Sequence, residues 1–323
     1  MRKIFVLSLC CISLAASAQQ AFFDADSLVA VPGGTGGALA GGGDTSGQAL
    51  AAPGLQLVSN QFSFTEGPAV DRRGNVFFTD QPNNQIWEYR TDGRLGLFMD
   101  SAGRSNGLYF DKKGDLISCA DEHDQLWSIS PERKVTVLVK NFQGSRLNGP
   151  NDLWIDPKGG IYFTDPYYQR DYWDRTKPEL NAQSVYYLPA PAGKKKPTAV
   201  PVEVNLVKPN GIVGTPDGKF LYVADIGDNK TYKYQINDDG TLDSKELFAP
   251  QGSDGMTLDA KGDLYLCGNG ITVYDPSGKK IAYLPIPAKW TANLCFGGRD
   301  KKTLFITASR SVYILPMRVA GVE

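Results

Sequence analysis

Short runs of alternating apolar and polar residues, separated by turn signals, fill most of this chain, a pattern that predicts many short β-strands. One unit recurs: VDRRGNVFFTD (70–80), FDKKGDLISCA (110–120), IDPKGGIYFTD (155–165) and LDAKGDLYLCG (258–268) each read as an apolar residue, Asp, two further residues, Gly, then an alternating apolar strand. TPDGKFLYVAD (215–225) and GRDKKTLFITA (298–308) are the same unit with altered turns, which makes six copies. In Asp-x-x-Gly the Asp side chain bonds the backbone that follows it, and Gly takes the positive φ of a tight turn. Further strands and turns lie between copies, so four strands per period of about 40–50 residues predict a propeller blade. The expected fold is all-β, a six-bladed β-propeller with a metal site in its central channel. The last copy ends one strand short after SVYILPM (311–317), and LQLVSNQF (55–62) is placed to supply that strand and close the ring. A pair of β-sandwiches would leave the repeat unexplained.

The N-terminus follows other rules. Arg2 and Lys3 precede the apolar stretch Ile4 to Ala15, and Ala16-Ser17-Ala18 fits a cleavage site, so residues 1–18 are expected to be a signal peptide. The compartment expected from it is the periplasm or the cell exterior. Residues 19–54 are rich in Gly and Ala, cannot bury enough apolar surface to order themselves, and are expected to be a flexible segment before the propeller at 55–323.

Charge and composition then narrow the chemistry. With 34 Lys+Arg against 35 Asp+Glu the balance gives no electrostatic case for nucleic acid, whose readers usually show a basic stripe or patch. No mature segment is apolar for long enough to span a membrane. The single histidine, His123, excludes any His-pair metal site. Beyond the signal peptide three cysteines remain, Cys119, Cys267 and Cys295, all beside apolar strands and expected as buried core residues.

Eight residues before each turn glycine stands an acid or an amide: Glu66, Asn106, Asn151, Asn210 and Asp254, with Asn293 at the same index in the sixth copy. Asn-Gly and Asp-Gly are also common turn pairs, but Glu66 is a poor turn residue at that index. In a propeller these positions open the innermost strands and surround one end of the channel. Carboxylates and amides without His or Cys form a hard oxygen site, suited to Ca²⁺, Mg²⁺ or Mn²⁺. Elsewhere, His123 is a candidate for the pocket rim. The run DPYYQRDYW (165–173), Tyr167 included, is a candidate for aromatic stacking on a sugar. AGKKKPT (192–198) is expected to be a solvated hairpin tip.

These residues resemble the SMP-30/gluconolactonase/luciferin-regenerating-enzyme-like family, through TEGPAVD with FFTD (65–80), SNGLYFD (105–111), LNGPNDLWIDPKGGIYFTDP (147–166), KPNGI (208–212) and SDGMTLDAKGDLYL (253–266). The resemblance spans roughly residues 55–317. It implies a propeller that hydrolyses sugar lactones with one divalent cation, Ca²⁺ first, with Mg²⁺, Mn²⁺ and Zn²⁺ as alternatives. It also implies Glu66, Asn210 and Asp254 as metal ligands, Asn151 completing the coordination or touching substrate, and Asp254 as the base that activates water. Asn106, Asn293, His123 and Tyr167 join Asn151 as candidate substrate contacts. Some members carry an arginine two residues before the asparagine that corresponds to Asn151; here Gly149 stands there, with Arg146 out of register. A small-molecule lactone is the expected partner, and a monomer or weak dimer the expected state. The alternatives are an arylesterase or phosphotriesterase-like propeller, and a non-catalytic ligand-binding propeller with a structural ion.

Overall fold

The Asp-x-x-Gly turns set the geometry of blades 1, 2, 3 and 5, and altered turns do so in blades 4 and 6. Asp71 Oδ1 accepts the backbone N–H of Arg73 and of Asn75, each at 2.8 Å, while Gly74 holds φ at +88°. Asp111, Asp156 and Asp259 repeat the arrangement, and in the sixth copy Lys301 takes the left-handed conformation itself at φ +58°. Each turn reverses an innermost strand into the second strand of its sheet.

A computed structural model describes residues 51–193 and 196–322. The proposed signal peptide, most of the Gly/Ala segment, and Lys194 and Lys195 of the tip lie outside the described residues; Gly193 and Lys196 on either side are exposed. The strands are β1 (Gln56–Ser59), then β2 (Thr65–Val70), β3 (Val76–Asp80), β4 (Gln85–Tyr89) and β5 (Leu95–Asp100) in blade 1, and β6 (Ser105–Phe110), β7 (Leu116–Ala120), β8 (Gln125–Ile129) and β9 (Val135–Val139) in blade 2. Blade 3 holds β10 (Leu153–Ile155), β11 (Ile161–Asp165), β12 (Gln183–Leu188) and β13 (Val200–Leu206), and blade 4 β14 (Pro209–Gly214), β15 (Phe220–Asp225), β16 (Lys230–Ile236) and β17 (Leu242–Ala249). Blade 5 holds β18 (Met256–Leu258), β19 (Leu264–Gly268), β20 (Gly270–Tyr274) and β21 (Lys280–Leu284), and blade 6 β22 (Asn293–Gly297), β23 (Thr303–Ala308) and β24 (Ser311–Pro316). Every sheet is antiparallel with consecutive neighbours, and β1 completes the sixth beside β24. The protein is therefore the six-bladed propeller that the repeat predicts, and the two-sandwich alternative falls.

The second strands are apolar at most positions rather than alternating, and burial explains why. β3, β7, β11 and β19 are buried at every position because neighbouring blades cover both faces, whereas the outer strand β5 is exposed or half-buried throughout. Phe62, just ahead of blade 1, packs edge-on against Phe78 and Trp87, with ring centroids 5.2 and 5.4 Å apart. Cys119, Cys267 and Cys295 are buried free thiols. Among the described residues no helix is long and apolar enough to cross a membrane.

The ring closes through hydrogen bonds between the chain's two ends. Gln56 pairs with Ile314 and Leu57 with Tyr313, and Thr65 ties blade 1 to blade 6 by its N–H to Ser309 O (2.8 Å) and its Oγ1 to Ser311 O (2.9 Å). Docking begins before Leu55: Ala52 is buried and donates its N–H to Pro285 O at 2.8 Å. A chain starting at Gln61 is expected to lose about 2–4 kcal/mol, as the β24 edge is uncovered and the apolar contacts of Ala52, Leu55 and Val58 are lost. Urea midpoints check the loss, and light scattering checks the edge-to-edge association that should accompany it.

Candidate active site at the channel mouth

The innermost strands β2, β6, β10, β14, β18 and β22 contact one another in ring order and enclose the channel. The six indexed residues open these strands at one end, or stand just before them. Glu66, Asn106, Asn151, Asn210 and Asn293 are buried, while Asp254 keeps part of its surface open.

The glycine after each of these residues has a physical role other than turning the chain. A Cβ on Gly107 would lie 2.7 Å from Asn151 O, one on Gly211 2.2 Å from Asp254 O, and one on Gly255 1.9 Å from the Asn293 side chain. Each glycine gives room for the axial residue of the next blade. Gly67 does the same against Asn106 O, and of these four glycines it alone takes a positive φ, +41°. Close approach, more than turn propensity, accounts for the recurring dipeptide.

Carboxylates crowd this end. Burial, then the charge of Asp254 and that of Asp152, push the Glu66 carboxyl well above its ordinary range. Burial likewise pushes Asp254 up to about 6, against hydrogen bonds from Trp290 and Asn210 and the charge of Arg170. Trp290 Nε1 donates to Asp254 Oδ2 at 2.6 Å, and Gly67 N–H to Glu66 Oε2 at 2.9 Å. Asp152 is a third axial carboxylate that the repeat index passes over, because blade 3 alone carries an acid where blades 1, 2, 4 and 5 carry glycine. It is buried, and Asn293 Nδ2 donates to its Oδ2 at 3.3 Å, from blade 6 to blade 3 across the channel. The Asn293 carboxamide is thus committed to a cross-channel tie, its Oδ1 accepting Leu294 N–H at 2.8 Å. The carboxamides of Asn106 and Asn151 have no hydrogen-bond partner among the described residues and are free to meet a ligand.

One wall of the mouth is the connection from β11 to β12. Tyr168 Oη accepts from Asn210 Nδ2 at 3.0 Å and so joins this loop to the axial set. The neighbouring Tyr167 hydroxyl bonds Gln169 instead, and its ring lies against Trp173 at 5.8 Å, so it braces the loop from within. His123 closes a single 3-10 turn at 121–123, half exposed, and stacks on Trp127 at 5.1 Å. The residue of that turn that reaches the loop is Asp121. Its Oδ2 accepts from Gln81 Nε2 (2.9 Å), Arg170 Nε (2.7 Å) and Tyr172 Oη (2.5 Å), and its backbone carbonyl from Trp173 Nε1 (3.0 Å). The same packing leaves no room for a side chain at position 149: a Cβ on Gly149 would sit 2.7 Å from Asp121 Oδ1 and 2.9 Å from Trp173. Arg146 is spent on Glu179 and Asp174 at 2.6 Å each, on the surface.

Among the described residues no three or more His, Cys, Asp and Glu side chains form a metal cluster. The donor set at the axis is carboxylate plus amide, Glu66 and Asp254 with Asn210 beside them, and that composition suits a hard divalent cation. A cleft of about 350 Å³ at the opposite end, among Val70, Tyr109, Lys112 and Lys301, offers no comparable chemistry, since its Asp71 and Asp111 are committed to turns.

The fold and this carboxylate–amide mouth define a class: six-bladed propellers that carry their polar site on the axis. Residues 64–310 match the SMP-30/Gluconolactonase/LRE-like region, and the chain belongs to that family. A gluconolactonase from Zymomonas mobilis is 28% identical over 298 residues, 83% of this chain and 82% of that protein. Among solved structures, a gluconolactonase from Xanthomonas campestris superposes with a TM-score of 0.75 at 27% identity, over 82% of this chain and 90% of its own. A calcium-binding protein, regucalcin, from Agrobacterium tumefaciens shares the fold with a TM-score of 0.68 at 20% identity, over 82% of this chain and 94% of its own.

Proposed function

We propose that this protein is a lactonase that opens sugar lactones by hydrolysis with the help of one divalent cation. The observation that carries this reading is the meeting of Glu66, Asp254 and Asn210 at the channel mouth, where burial pushes two carboxyl groups upward and the charge of Asp254 adds to the shift of Glu66. Relatives named gluconolactonase support the substrate class, and a relative named lactonase drp35, from Staphylococcus haemolyticus, supports the reaction. Ca²⁺ is the first candidate ion, held by Glu66, Asn210 and Asp254 with Asn151 completing the set. When bound, such an ion polarises the lactone carbonyl and offsets the charge that develops on its oxygen. Asp254 takes the proton of the attacking water and returns it to the leaving alkoxide. The Trp290 N–H bond fixes the orientation of that carboxylate. The unspent amides of Asn106 and Asn151 contact substrate oxygens, and Tyr168 walls the site. Export to the periplasm or beyond, through residues 1–18, belongs to the same proposal.

Treatment with EDTA is expected to slow gluconolactone opening in a pH-stat by about 10²-fold or more, and added Ca²⁺ or Mn²⁺ to restore it. Undiminished turnover after chelation would overturn the metal-dependent reading. A metal that raises only the melting temperature would favour the binding propeller. Because a base must be ionised to act, kcat/KM should rise with pH on its acid limb, with a midpoint at or below about 6, the value for Asp254 before any cation lowers it.

A further inference from the structure

We propose that Arg170 reads the hydroxyl oxygens of the substrate and makes the site selective for polyhydroxylated lactones over unsubstituted ones. This rests on the lactonase reading and adds the residue that chooses the substrate. Arg170 lies in the β11–β12 connection, its side chain 23% exposed, and is held on one side only, by Nε donating to Asp121 at 2.7 Å. Asp121 cannot swing away, since Gln81 and Tyr172 bond the same carboxylate oxygen. Nη1 and Nη2 of Arg170 donate to no acceptor among the described residues, and neither is sealed from solvent. The guanidinium carbon stands 5.6 Å from the centre of the Tyr168 ring, whose hydroxyl accepts from Asn210 of the axial set.

Arg175 in the same loop shows what a structural arginine looks like here. Its Nη1 bonds Leu147 O at 2.8 Å, its Nη2 bonds Asp124 and Asn148 O at 2.5 Å each, and its guanidinium covers Trp173 at 4.1 Å. Arg170 keeps the outer edge of its fork unspent, on the loop whose Tyr168 meets Asn210 of the axial set, and its charge is felt at Asp254. A planar pair of N–H donors matches adjacent oxygens of a sugar ring. A lactone without hydroxyls would displace the water on those donors and return no acceptor, and that unpaid desolvation is the source of the selectivity.

The test compares kcat/KM for glucono-1,5-lactone and δ-valerolactone in wild type, Arg170→Met and Arg170→Lys at about pH 8, well above the titration of Asp254, so that loss of the Arg170 charge leaves the base ionised. Wild type should prefer the hydroxylated lactone by about 10²-fold or more. Arg170→Met should lose most of that preference through gluconolactone alone, with δ-valerolactone changed by less than about 3-fold, and Arg170→Lys, which keeps the charge without the fork, should fall between them. Equal losses on both substrates would assign Arg170 to holding the loop and overturn the proposal, as would a wild type without preference or an Arg170→Met variant that keeps it. Absence of wild-type turnover on either substrate would instead overturn the lactonase reading beneath it.

Discussion

Asp254→Asn is expected to reduce lactone opening by at least about 10³-fold, because it removes both the proton acceptor and one anionic ligand of the proposed cation. The same substitution should stabilise the protein in the absence of metal. The Asp254 carboxyl stands at about 6 in the fold against 3.8 for the ordinary group, so the folded state holds its proton more tightly than the unfolded state. Its ionisation therefore opposes folding increasingly as pH rises from about 4 to 6, and by a constant amount above. The difference of about 2 units corresponds to a ceiling of about 3 kcal/mol, reduced because Asp254 is partly open to solvent. In EDTA at pH 8 the variant should melt a few degrees above wild type, and the gap should close near pH 4, where both side chains are neutral. Calorimetry across that range, beside a pH-stat assay, reads both effects. Retention of a tenth of wild-type activity by a folded variant would remove Asp254 from the chemistry.

Gly67→Ala should be the most damaging of the conservative substitutions. Its Cβ would fall 2.0 Å from Asn106 O and 2.7 Å from Gly107 Cα, both backbone atoms of the next innermost strand, at a φ of +41° that alanine resists. Neither atom can move without displacing β6 and the axial residue on it. The expected cost is about 3 kcal/mol or more, enough to threaten soluble expression. Gly114→Ala is the control, since Gly114 has φ +93° but nothing within 4 Å of the added atom. Its cost should stay near 1–2 kcal/mol, that of the backbone conformation alone. Similar urea midpoints for the two variants would mean that crowding at the axis is not what the glycine relieves.

The residues that made the architecture legible repeat at a fixed index. Asp71, Asp111, Asp156 and Asp259 mark four of the turns; counting back from the five turn glycines reaches five axial positions, and counting back from Lys301 reaches the sixth. The closing strand could be placed because blade 6 was one strand short. The rest of the site depends on contacts that no local pattern records. Asp152 sits one residue off the index, and its partner Asn293 is 141 residues away. Asp121 meets Tyr172 across 51 residues, so the network that holds Arg170 has no signature in either segment. His123 is the single imidazole of the chain, yet the turn that carries it aims Asp121 inward and leaves the imidazole half exposed on Trp127. Tyr167 and Tyr168 are adjacent and chemically identical, and only the course of the loop shows which of them meets Asn210.

The closing strand also sets the order of events during synthesis. Blade 6 draws one strand from residues 56–59 and the other three from 293–316, so its sheet cannot assemble until nearly the whole chain exists. Blades 1 to 5 are each built from contiguous sequence and can form as they emerge. The last step is long-range and carries the largest loop-closure cost in the molecule. Until it occurs the channel is a cleft open on one side, with Glu66 and Asn293 on separate banks. The polar site therefore comes into being last, at the moment the two ends of the chain meet.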